Sequence, residues 1–148
     1  MNHMVLKYII YFFIYSFVGW ILDSVFSSLV AKQLIFGGMF KTFLIPIPLA
    51  PIYGFGAVIL ILMFNFLLKS NILLRLFLIV ISLTMLEYIG GFFTYKLLGR
   101  RVWDYTGNFL NLNGHVDVVH SLFWLVLGLV FIYFIHPFIS IFLSKFLE

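Results

Sequence analysis

The sequence predicts an all-α integral membrane protein: a polytopic bundle of four transmembrane helices, with long, partly re-entrant loops on one side and a short interfacial C-terminal helix. Residues 1–148 are expected to form a single transmembrane domain. Three observations predict this. The chain is 64% hydrophobic and 9% charged, against about 45–50% apolar and about 25% charged in a soluble domain. Its mean hydropathy of +1.19 exceeds what one water-facing surface can carry. Four apolar segments also reach the roughly 20 residues needed to cross a bilayer. A lipid-exposed backbone must satisfy its own hydrogen bonds, so each segment should be a helix. The expected location is the cell membrane, with several crossings.

The first segment runs from Val5 to Val30, interrupted by Lys7 and Asp23. Its apolar run is too long for the core of a cleaved signal and lacks a small-residue cleavage pattern, so a retained helix is expected. The second, from Pro48 to Leu68, carries no charge. The third, from Ile72 to Leu98, has Arg75 and Lys96 near its ends and Glu87 inside. The fourth runs from Val116 to Ile135. His136-Pro137 should then break the helix, because proline lacks the N–H that an interior position requires. Phe138 to Glu148 is too short to span and is expected to lie in the interface. Asn65 to Asn71 reads as a tight turn. Ala31 to Ile47 and Gly99 to His115 are longer connections holding large apolar residues, and both should fold back onto the helices. The order acid, long loop, helix occurs twice, which outlines a weak parallel repeat.

Alternating helices place the ends of the first and third beside the starts of the second and fourth. Asp23 then lies about 10 Å below that side and Glu87 about 16 Å, at the helical rise per residue. Tyr53, Trp103, Asp104, Tyr105, Asn111, Asn113, His115, Asp117 and His120 fall on the same side. Helical spacing groups these residues further. Ser16, Gly19, Asp23 and Ser27 form one stripe; Thr84, Glu87, Gly91 and Thr94 a second; Asp117, His120, Ser121, Trp124 and Gly128 a third. Small residues let helices approach closely in lipid, so each ionisable group should face inward on a close-packing surface.

Each of these residues has a plainer reading beside the functional one. Asp23 and Glu87 can serve as protonated packing groups, although intramembrane acids usually mark function. Asp117 can simply cap a helix, and Trp103 and Tyr105 can belong to an aromatic belt. Asn111, Asn113 and Gly114 can close a turn. The chain has no cysteine, which excludes disulfides, thiolate metal sites and a cysteine nucleophile. No spacing suggests a metal site, no cofactor motif is present, and no phosphate-binding loop, zinc-protease or serine-elbow motif appears. No basic cluster exceeds Arg100-Arg101, so a nucleic-acid partner is not expected. The expected partner is membrane lipid. Lys32, Lys41, Lys96, Arg100 and Arg101 on the loop side nearly balance Lys7, Lys69, Arg75 and Lys145 on the other. That balance leaves orientation open and allows an antiparallel dimer.

In order along the chain stand Tyr15-Ser16-Phe17-Val18-Gly19-Trp20 with Asp23, the block Pro51 to Ala57, and Leu86-Glu87-Tyr88 with Gly90 and Gly91. Trp103-Asp104-Tyr105, Asn111-Leu112-Asn113-Gly114 and Ser121-Leu122-Phe123-Trp124 complete the series. This series resembles the putative ABC-transporter type IV family, also called the CmpB family. Three positions depart from its pattern: Asp23 replaces a glutamate, Gly37-Gly38 replaces Arg-Gly, and His115 replaces an arginine.

The resemblance implies a permease-like transport subunit rather than an enzyme. Such a subunit would work as a homo-oligomer, with a dimer the simplest form, or with partner subunits such as an ATPase, which this chain lacks. Asp23, Glu87, Trp20, Tyr53, Trp103, Asp104, Tyr105, Asn111, Asn113 and His120 are the candidates to line a substrate or ion pathway. An alternative is a membrane-embedded enzyme acting on a lipid or lipid-linked substrate. Asp104, Glu87 and His120 would then be acid/base groups and Asn111 and Asn113 orienting donors. A small proton-coupled antiporter is a further alternative.

Overall fold

A computed structural model describes residues 3–32 and 47–147. Among them every regular element is helical: α1 His3–Ala31, α2 Pro51–Leu62, α3 Phe64–Lys69, α4 Ile72–Leu98, α5 Val118–Val130, a π turn Phe131–Ile135 and α6 His136–Leu147. Among these residues three helical stretches are long and apolar enough to cross a membrane: Met4–Leu29, Ile72–Leu98 and Val118–Lys145. Their flanks carry bare apolar side chains such as Phe13, Leu29, Phe77, Leu97, Phe134 and Phe138. On three long apolar helices, that exposure fits a membrane protein. The chain divides into two compact units, Met1–Val58 and Ile59–Glu148.

In the first unit, α1 and the start of α2 meet through small residues. A methyl group added at Gly19 would collide with the Tyr53 ring, and one at Gly54 with Ser16 Oγ. The Ala50 N–H donates to the Ser16 carbonyl at 2.9 Å, which fixes the entry to α2. Tyr11 stacks on Tyr15, with ring centroids 5.8 Å apart.

In the second unit, α4 and α5 pack antiparallel. Gly128 admits Ile79 and Leu83, and at either end Arg75 reaches Tyr133 and Tyr105 reaches Glu87. Both boundaries of α4 have local causes. Asn71 caps its start by accepting from the Leu74 N–H at 2.9 Å. Gly99 ends it with φ +66°, a left-handed conformation that costs glycine little, and its N–H bonds the Tyr95 carbonyl at 3.0 Å.

Two expectations need correction. The second apolar segment is not one helix: Met63 separates α2 from α3, and Pro51–Leu62 is too short to span by itself. The break at His136-Pro137 does not occur, since the helix continues to Lys145. Proline withholds an N–H and crowds the carbonyl four residues earlier. A π turn relieves both, with the His136 N–H bonded to the Phe131 carbonyl five residues back. His136 is buried there, stacked on Phe131 at 5.6 Å and meeting Phe64 edge-on at 5.1 Å. The expected loop from Ala31 to Ile47 lies, apart from Ala31, Lys32 and Ile47, outside the described residues.

Candidate functional site

The segment between α4 and α5 folds back onto the last turns of α4. Its frame is local. Asp104 Oδ1 accepts from the Thr106 N–H at 3.0 Å, and the Tyr105 N–H donates to the Gly114 carbonyl at 3.0 Å. Asn111 donates to the Thr106 and Asn108 carbonyls and accepts from the Gly114 N–H. Gly114 takes φ +69°. The Trp103 indole N–H donates to the His115 carbonyl at 2.8 Å, and the Asn113 amide donates to the Tyr88 hydroxyl at 3.0 Å.

His115 closes this frame against α4. It packs edge-on against Tyr88 and Phe92, and Gly91 leaves room for it: an added Cβ there would lie 3.0 Å from His115 Nδ1. Arg101 reaches the same nitrogen at 3.3 Å, donates to the Asn113 carbonyl at 2.7 Å and lies over the Tyr95 ring. Burial first, then the Arg101 charge, hold the His115 imidazole below its ordinary pKa.

Beneath this frame lies a second cluster. Asp117 is 2% exposed and caps α5, accepting from the His120 N–H at 2.7 Å. Both its carboxyl oxygens also approach His120 Nδ1, at 2.9 and 2.8 Å, and the Asn108 amide donates to Oδ2. Burial pushes the Asp117 carboxyl up. The His120 N–H, the Asn108 amide and the His120 ring outweigh burial and hold it below the ordinary carboxylate value. The Tyr105 ring stacks on the His120 ring with centroids 3.9 Å apart and planes 16° apart.

The Tyr105 hydroxyl donates to Glu87 Oε1 at 3.1 Å. Glu87 is 4% exposed, and among the described residues its other oxygen, Oε2, is buried with no hydrogen-bond partner. Thr84 Oγ1, three residues earlier on the same stripe, is in the same condition. The Trp124 indole lies beside the Glu87 carboxyl, and His120 and Asp117 are within electrostatic range of it.

The structure thus brings Glu87, Tyr105 and His120 together, and adds Asp117, which reads from sequence as a cap. Asp104 is not in this cluster: it is half-exposed, and the Thr106 N–H, which holds its carboxyl below the ordinary value, and Arg101 occupy it. Trp103, Asn111 and Asn113 support the loop through the hydrogen bonds above. Asp23, Trp20 and Tyr53 belong to the first unit, where Tyr53 fits against Gly19 and Trp20 stacks on Phe17 at 5.9 Å. Asn108 gives no signal in the sequence beyond its place in a turn-rich stretch. Among the described residues no three His, Asp or Glu gather as a metal site requires.

Chemically, the cluster pairs an imidazole whose Nδ1 is held by a buried carboxylate with an acid inside a helix long and apolar enough to cross a membrane, and a phenol lies between them. Such an arrangement can take up, hold and pass a proton. No curated protein and no solved structure matches the chain. The sequence profile of one family, described as putative ABC-transporter type IV, matches residues 10–148, and the chain belongs to that family.

Proposed function

We propose that this protein is a permease-like subunit of a transporter in the cell membrane, with Glu87 on the path of a proton or cation. The family and the three apolar spans support a membrane transport component. The observation that carries the reading is the Glu87 carboxyl, buried within a span and, among the described residues, left with one unanswered oxygen. An unpaired polar group there is too costly to keep for packing alone.

In this reading α2 and α3 together make a fourth crossing, since Pro51 to Lys69 rises about 28 Å, close to the hydrocarbon thickness of about 30 Å. So few helices do not enclose a pathway alone. The working unit is therefore an oligomer, with an ATP-hydrolysing partner.

A second reading, a membrane-embedded enzyme acting on lipid, draws on one observation: Asp117 orients His120 as a carboxylate orients a general base.

The test is purification of the tagged chain from its native membranes in mild detergent, followed by reconstitution. Under the transporter reading an ATP-hydrolysing subunit accompanies the chain. ATP turnover falls to background in Glu87→Gln while assembly and folding are unchanged. Absence of any such subunit, or wild-type turnover in Glu87→Gln, overturns the reading. Hydrolysis of a labelled lipid extract by the chain alone replaces it with the second.

A further inference from the structure

The cluster runs from exposed to buried. The His120 side chain is 30% exposed, while the Asp117 side chain is fully covered and Glu87 lies within the span with Oε2 and Thr84 Oγ1 unanswered. Among the described residues, the groups that act on Glu87 include no lysine or arginine. Arg101 is held by Asn113, His115 and Asp104, and Lys96 lies over the Phe92 ring. Apart from the Trp124 indole beside the carboxyl, what meets Oε2 must therefore arrive. A metal cation needs a shell of oxygens. Here α4 is unbroken, its carbonyls are held in the helix ladder, and among the described residues the further oxygens at hand are the Thr84 and Tyr105 hydroxyls. A proton needs one oxygen to bind and one acceptor, and residues three apart on a helix are neighbours, so Thr84 can accept from Glu87.

We propose that His120 and Tyr105 form a proton route between the loop side and Glu87, with Asp117 holding the imidazole in working orientation. This deepens the transporter reading by naming the proton as the ion Glu87 takes up, and rests on that reading for its purpose. Asp117 engages Nδ1, so Nε2 is the nitrogen that exchanges with water. The imidazolium passes its proton, across one water, to the Tyr105 oxygen. Tyr105 passes its own hydroxyl proton to Glu87 Oε1, and rotation of the now neutral carboxyl turns that O–H toward Thr84 Oγ1, the acceptor left unanswered there. His120 ends neutral, Tyr105 unchanged, Glu87 protonated and Asp117 ionised throughout, so charge and protons balance. The stacked rings keep donor and relay together. Within this unit the titratable groups facing Glu87 are Tyr105, His120 and Asp117; Arg101, Asp104 and His115 form the neighbouring frame.

The test is infrared difference spectroscopy on the full chain in lipid nanodiscs, which needs neither cargo nor ATP. The carboxylic C=O band of Glu87 is the one lost in Glu87→Gln. Its shift after transfer to heavy water times proton exchange. Tyr105→Phe keeps the ring and removes the hydroxyl, and is expected to slow exchange about a hundredfold, the low end of what a positioned proton-transfer group contributes. His120→Gln should slow it comparably, and added imidazole should restore the rate. A purely structural role would not give that rescue. Wild-type exchange in both variants overturns the route. Absence of the band at every pH, or its appearance only when sodium is withdrawn, also overturns it and assigns the site to a fixed charge or a metal cation. None of these results touches the ATPase test, so the transporter reading stands or falls separately.

Discussion

The α4–α5 pair is tied at each end by one arginine, and the two ends differ in what they leave over. At the α3–α4 turn, Arg75 donates through Nε to the Leu67 carbonyl at 2.6 Å and through one terminal nitrogen to the Leu68 and Ser70 carbonyls at 2.9 and 2.7 Å. Its other terminal nitrogen meets the Tyr133 hydroxyl. Those carbonyls are the ones a helix end exposes, and a cation there also meets the negative end of the helix dipole. At the opposite end, Arg101 fastens the loop through Asn113, His115 and Asp104. Below it, Glu87 Oε2 and Thr84 Oγ1 remain unanswered among the described residues. Similar donors and similar lipid-facing helices produce one end where the polar groups are paired and one where they are not. The first is explained by folding alone. The second asks for something that folding does not supply.

The largest expected effect bears on the loop end. Asp117→Ala removes a helix cap and the acceptor for Asn108 and His120 at a covered position. It should lower stability by about 3 kcal/mol, a lost cap plus lost buried hydrogen bonds, read from unfolding in detergent. Asp117→Asn keeps the cap and should recover a substantial part. If the alanine variant is as stable as wild type, the cluster is not the folded anchor described here.

Arg75→Ala should cost about 2 kcal/mol through the freed carbonyls, measured in the same way. It should leave the Glu87 infrared band and its exchange rate unchanged. A changed band would mean that the two ends are coupled, and the comparison between them would fail.

The helices α1 and α4 were legible in the sequence because their apolar runs are long and, for α4, bounded by Asn71 and Gly99, whose side-chain and backbone preferences act locally. The break at Met63 was not, because no residue there disfavours a helix. Pro137 misled for the opposite reason: its local preference is strong, but one wider turn absorbs it. The stripe Thr84, Glu87, Gly91 follows from helical periodicity alone. Which acid would meet His120 does not. Asp104 and Asp117 both precede α5, and the choice depends on the Asx turn that engages Asp104 with Thr106, a property of the folded loop. Asn108 becomes a partner of Asp117 only once that loop has closed.

The smallest expected effect is on pH. The His115 pKa is depressed in the fold, so the unfolded chain binds its proton first. The stability it contributes is complete above the ordinary value of 6.5 and is lost as pH falls through the lower folded value. Asp117, also depressed, adds a loss of the same sign below its ordinary value of 3.8. Melting should therefore move to lower temperature on acidification from about pH 7 to about pH 5, and His115→Gln should flatten that slope. An unchanged slope in the variant would remove His115 from the account of the loop.

The π turn at Phe131–Ile135 also sets how thick a membrane suits this protein. Ended at Ile135, the last span would cover about 27 Å, slightly less than an average hydrocarbon core. Carried through to Lys145 it is 28 residues long, about 42 Å, and α4, at 27 residues, is nearly its match. Two neighbouring helices of that length must lean, or hold their ends among the headgroups, in any bilayer of ordinary thickness. Longer acyl chains would let them stand more upright, so hydrophobic mismatch gives the lipid a mechanical hold on the hairpin that carries Glu87.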